Sequence, residues 1–142
     1  MKQASPEMVR RVAAAQATLA RFRDRPFRWG SNDCARMAAF HLRQMGHKPQ
    51  LAKAGSYRSA LAARAALKRL GFATLAEALD AIGLQRVAPA EAWVGDIVMG
   101  DSGDVFGALG VLLGNEAMIG FHEHAAGATV LRHVHLVSAW RL

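Results

Sequence analysis

The chain has 142 residues, enough for one core of ordinary domain size, so neither a disulfide framework nor a structural metal is needed to explain folding. Its formal net charge of +7 is held unevenly: residues 1–70 carry fifteen of the eighteen Lys/Arg but only three of the eleven acids, Glu7, Asp24 and Asp33. The lone Cys34 excludes an internal disulfide, no stretch is long and apolar enough to span a bilayer, and MKQASPEMVRRV lacks the apolar centre of a signal peptide. The expectation is a protein that stays where it is made, or leaves by lysis or inside an assembly.

Ser5-Pro6-Glu7 is a helix start: a hydroxyl cap, proline at the first helical position and an acid in the first turn. Met8, Val9, Val12, Leu19 and Phe22 recur at helical spacing up to about Asp24, and Pro26 is read as the stop. Gly30-Ser31-Asn32-Asp33 is turn and cap chemistry. After it Cys34, Met37, Ala38, His41, Leu42 and Met45 mark one face of a second helix that ends at Gly46, with Cys34 on its first turn. A third helix is predicted over about 57–70, and Thr74-Leu75-Ala76-Glu77 is a capping box for a short fourth that ends near Gly83. Beyond Pro89 the period changes. Runs at 96–99, 108–113, 117–122, 129–136 and 137–141 are short and β-prone, with Gly, Asp, Asn or Ser between them. Helices first and strands second make an α+β layout in one domain over 1–142. The helical half covers about 5–83 and the sheet half about 94–142, with N-terminal helices packed on a C-terminal antiparallel sheet of about five strands.

A thiol reacts as its anion, and a helix start favours anions through unpaired N–H groups and the helix dipole. Asp33 opposes this, because a neighbouring carboxylate disfavours a thiolate, so activation of Cys34 calls for an imidazolium close by. His41 lies seven residues beyond Cys34 on the same helix, roughly 10 Å along its axis, and His47 is farther still. The base therefore has to come from the sheet half, where His122 and His124 form one alternating pair and His133 and His135 another.

Pro26-Phe-Arg-Trp-Gly-Ser-Asn-Asp-Cys34 resembles the nucleophile motif of the NlpC-type, papain-like cell-wall cysteine peptidases. Val94-Gly-Asp-Ile-Val98 is similar to that family's Gly-Asp strand opening, Ala108 to Gly114 to its second strand, and Met118-Ile-Gly-Phe-His122 to its third. The order and spacing match from about residue 20 to the C-terminus. With Ser138-Ala-Trp-Arg141 the whole is most similar to small NlpC-like proteins of phage and prophage tail gene clusters. The resemblance implies a papain-like fold with a cleft between the Cys34 helix and the sheet. It also implies Cys34 as nucleophile toward peptidoglycan peptides, other tail or tail-tip proteins as partners, and a place in the virion tail after synthesis in the host cytoplasm. No cofactor is implied. The family's base position falls on Ala108, and loss of a catalytic-unit member typically removes several powers of ten in rate.

Two main readings follow. In one, the fold serves as a structural or assembly part of a tail, with lost or weakened thiol-hydrolase activity. In the other, Cys34 works with a relocated base, His122 or His124. A third reading gives the two His-x-His pairs a metal such as zinc or nickel, and needs residue 122 opposite 131 in a hairpin. Nucleic-acid binding fits poorly, since the arginines are spread around several helices and the aromatics do not recur as stacking platforms. Trp29 and Trp140 are read as core anchors and Asp96 as the cap of its turn.

Overall fold

The computed structural model describes residues 5–49, 51–102, 106–114, 116–121, 127–132 and 135–142. Helix α1 runs Pro6–Phe22, and the Ser5 hydroxyl accepts from the Met8 N–H as its cap. It ends short of Pro26: Asp24 adopts φ 62°, and its N–H goes to Ala128 O instead of continuing the helix. The buried face also differs from the apolar pattern. Val9 and Val12 are exposed, while Arg11, Ala14, Ala15, Thr18 and Phe22 face inward at i, i+3, i+4, i+7 and i+11. The small residues let α1 lie close to the chain before the next strand, where a Cβ on Gly95 would stand 3.3 Å from the Arg11 Cβ. An ion pair of Arg11 with Asp96 fixes this rotation.

Helix α2 spans Cys34–Gln44, with Met37, Ala38, His41 and Leu42 buried on the expected face and Met45 buried just beyond. A 3-10 turn at Leu51–Ala54 leads to α3, Ala60–Arg69. Helix α3 starts later than expected because Ser59, not Tyr57, is its cap, accepting from Ala62 N–H. Helix α4, Leu75–Ala81, has Thr74 capping Glu77 N–H while the Glu77 carboxylate reaches back to Ala73 N–H.

Six strands form one antiparallel sheet rather than five. They are β1 Gln85–Val87, β2 Ile97–Gly100, β3 Ala108–Gly114, β4 Ala117–Phe121, β5 Ala128–Arg132 and β6 Leu136–Arg141, in the order β1-β6-β2-β3-β4-β5. Strand β1 was not expected because its three residues, two of them exposed, carry no alternation; it exists by pairing with the last strand, Gln85 opposite Arg141. Helices α1 and α2 lie on β3. The main core joins Phe22, Met37 and Leu42 of those helices to Ile97, Leu109, Val111, Ile119 and Trp140 of the sheet. Trp140 is fully buried, as expected of a core anchor, and its indole N–H donates to Asp80 at 2.8 Å, tying β6 to α4. Arg86 of β1 clasps the same carboxylate with two bonds of 2.8 Å; these and the Trp140 bond hold the Asp80 carboxyl below its usual range.

In the β4–β5 ladder Leu131 stands opposite Met118, and Phe121 opposite Ala128. The register that would set residue 122 against 131, on which the metal reading depended, is therefore not the one adopted.

Candidate functional site around Cys34

Cys34 is the first residue of α2, half-buried, and packs against the main core. Asp33 before it is the helix cap, with one carboxylate oxygen accepting from Arg36 N–H and the other from Gly30 N–H, each at 2.8 Å. A hydrogen bond from the Tyr57 hydroxyl joins them; burial first, and then the Asp33 charge and this bond, push the Tyr57 phenol well above its ordinary value. Tyr57 also fixes the turn before the cysteine. Gly30 has φ 86°, and a Cβ there would lie 2.2 Å from the Tyr57 carbonyl oxygen, so only glycine lets the 56–58 segment close over the turn. Arg36 completes the cluster, its guanidinium 5.1 Å from the Tyr57 ring and donating to Gly55 O.

Around this cluster runs a chain of aromatic contacts. Phe121, the last described residue of β4, meets Phe27 edge-on at 5.4 Å, Phe27 meets Trp29 at 4.9 Å, and Trp29 meets Phe106 at 5.3 Å. Trp29 is half-buried and packs against a second, smaller core of Ala54, Tyr57, Ala63 and Ala66, whereas Trp140 is fully buried in the main one. Trp29 and Phe106 border a cavity of about 580 Å³ that Cys34 also lines. The remaining walls come from α2, α3, α4 and the Leu51–Ala54 region. Among the described residues, this cavity is walled mainly by helices, with α2 packed on β3.

His41 is fully buried and both its ring nitrogens are taken, Nδ1 by the Thr18 hydroxyl at 2.8 Å and Nε2 by the Gly95 carbonyl at 2.6 Å. A carbonyl can only accept, so Nε2 carries a proton, while the Thr18 hydroxyl that meets Nδ1 also donates to the Ala14 carbonyl at 3.1 Å. Burial lowers the His41 pKa, favouring the neutral form. His41 joins α1, α2 and the approach to β2 and is not available to the thiol. Ala108 opens β3, as the spacing indicated. His122, His124 and His133 lie outside the described residues, while His135 is exposed just before β6. Among the described residues no cluster of three or more His, Cys, Asp or Glu is arranged to hold a metal.

Asp96 does more than cap its turn. Fully buried, it accepts from Trp93 N–H at 2.8 Å, Leu142 N–H at 3.0 Å, Arg11 at 2.8 Å and Arg141 at 2.9 Å. Trp93, half-exposed, lies under the Arg141 guanidinium at 3.5 Å. Sequence reasoning missed Arg11, Thr18 and Tyr57. The available signal for Arg11 was Glu7 four residues earlier at a position in phase with Ala15, Thr18 and Phe22; Tyr57 carried none.

The architecture defines an α+β protein with a cysteine at the head of a helix that lies on an antiparallel sheet. The chain belongs to a family described as a domain of unknown function (DUF6950), whose model matches residues 9–142. No curated protein matches it. No helix among the described residues is long and apolar enough to cross a membrane.

Proposed function

We propose that the chain is a tail-associated component of a phage or prophage, with a papain-like, NlpC-type fold and thiol-hydrolase activity that is lost or weakened. The observation that carries this reading is Ala108 at the head of β3, where the resemblance puts the catalytic base: a methyl group can accept no proton. The one histidine on the Cys34 helix is no substitute, since both its nitrogens serve the α1–α2 junction. Asp33, Tyr57 and Gly30 hold the nucleophile turn as a rigid structural unit, which a tail component would keep after catalysis had gone. On this reading its partners are other tail or tail-tip proteins, and it is made in the host cytoplasm and carried in the virion tail.

The test is alkylation of Cys34 by iodoacetamide across pH 5–9, with detection of the chain in purified particles. The expected result is slow alkylation below neutral pH, unchanged by His122→Ala, and presence in the particles. Absence from particles overturns the assembly role.

A second reading, an active cysteine peptidase or amidase acting on peptidoglycan peptides with His122 or His124 as base, draws on one observation. Phe121, immediately before His122, is joined through Phe27 and Trp29 to the wall of the Cys34 cavity. Rapid alkylation below neutral pH that disappears in His122→Ala or His124→Ala establishes this reading in place of the first.

A further inference from the structure

The cavity beside Cys34, about 580 Å³ and partly open to solvent, falls within the about 300–1,000 Å³ range of small-molecule sites. Its size follows from composition. Ala35 and Ala39 of α2, Ala63 and Ala66 of α3 and Ala78 of α4 all line it, so three helices present methyl groups where larger side chains would meet. Leu42, Leu67, Leu70, Leu75, Leu79 and Ile82 add aliphatic wall, and Trp29, Tyr57, Phe72 and Phe106 an aromatic one.

The exposed charges on the lining have one sign. Lys48, Lys53 and Arg69 border the cavity and are exposed, so their charges stand in water at its edge. The single acid on the wall, Asp33, is buried with its oxygens already bound to Gly30 N–H and Arg36 N–H. A ligand that fits both features is amphipathic, with an aliphatic body and an anionic end. A peptide is a worse fit, because its amides would lose water against alanine and leucine without partners.

We propose that this cavity binds a medium-chain aliphatic carboxylate, with the methylenes among the alanines and leucines and the carboxylate among Lys48, Lys53 and Arg69. The site requires no chemistry at Cys34 and goes beyond the assembly reading, which is silent about ligands.

The test is calorimetric titration of the full chain with sodium dodecanoate below its micelle concentration. One saturable site per chain is expected, with no comparable binding of dodecylamine, which has the same tail and the opposite charge. Ala66→Phe fills the space and lowers affinity at least about tenfold, the equivalent of 1.4 kcal/mol. The double variant Lys48→Glu with Lys53→Glu changes only exposed positions and keeps the melting profile, and it lowers affinity by about the same factor. Absence of saturable dodecanoate binding, equal binding of dodecylamine, or unaltered affinity in the charge-reversed double variant overturns the proposal. Cys34→Ala separates the two ideas: dodecanoate binding survives it, whereas any thiol reactivity is lost whether or not a ligand site exists.

Discussion

Asp96 and Arg11 form a buried ion pair, 0% and 1% exposed, and such pairs are retained only where every remaining lone pair and N–H is also satisfied. Here the carboxylate has four donors, two of them backbone, and Arg11 also donates to the carbonyls of Val94 and Leu142. Asp96→Ala leaves the buried Arg11 guanidinium with only the exposed Glu7 as counter-charge. The expected loss is about 3–5 kcal/mol, read from urea unfolding, with Asp80→Ala on the exposed side of the molecule costing clearly less. His41 gives the molecule a pH dependence whose sign follows from its burial. Its folded pKa lies below the ordinary 6.5, so the unfolded chain binds the proton more readily. The stability it contributes is complete above pH 6.5 and is lost as the pH falls from there toward the folded value. Melting temperature should therefore decline on acidification from pH 7 to 5, and His41→Phe should flatten that decline relative to the wild type. Parallel curves for the two proteins would assign the decline to other groups.

Among the elements, the turn before α2 and the segment carrying Tyr57 act as one. Gly30 has a left-handed backbone and faces the Tyr57 carbonyl at a distance no Cβ tolerates. Gly30→Ala combines a conformational penalty of about 1 kcal/mol with displacement of the 56–58 segment, for a total of at least about 2 kcal/mol by denaturant unfolding. Because Tyr57 lines the cavity beside Cys34, displacing its segment should let the same variant alkylate at Cys34 faster than the wild type at pH 8. Asp33→Ala removes the cap of α2 and should cost about 1 kcal/mol, while Asp33→Asn retains most of it. The rotation of α1 carries a related lesson. Its valines were the natural candidates for a buried face, yet a face of arginine, alanines, threonine and phenylalanine won, because it brings Arg11 to Asp96 and Thr18 to His41. Hydrophobic periodicity alone ranks those faces in the wrong order.

Across the whole molecule, β6 lies between the edge strand β1 and β2, so the last strand in the chain is paired on both sides and delivers Trp140 to the core. Truncation after His135 removes a strand that pairs on both sides, together with the fully buried indole. The shortened chain should lose its cooperative thermal transition and bind a hydrophobic dye, whereas loss of an edge strand would leave a sharp transition at lower temperature.

The α+β order, the start of α2 at Cys34, the caps at Ser5, Asp33 and Thr74, and five of the six strands were determined by local signals: capping side chains, period and glycine at helix ends. These act within a few residues, so a sequence carries them openly. Tertiary structure alone decided the rotation of α1, the partners of His41, the existence of β1, the β4–β5 register and the helix-walled cavity beside the thiol. Each depends on groups far apart in the chain meeting in space, as Arg11 and Asp96 do across 85 residues. Which face a helix buries is chosen by the partner that arrives to satisfy it, and local sequence does not contain that partner.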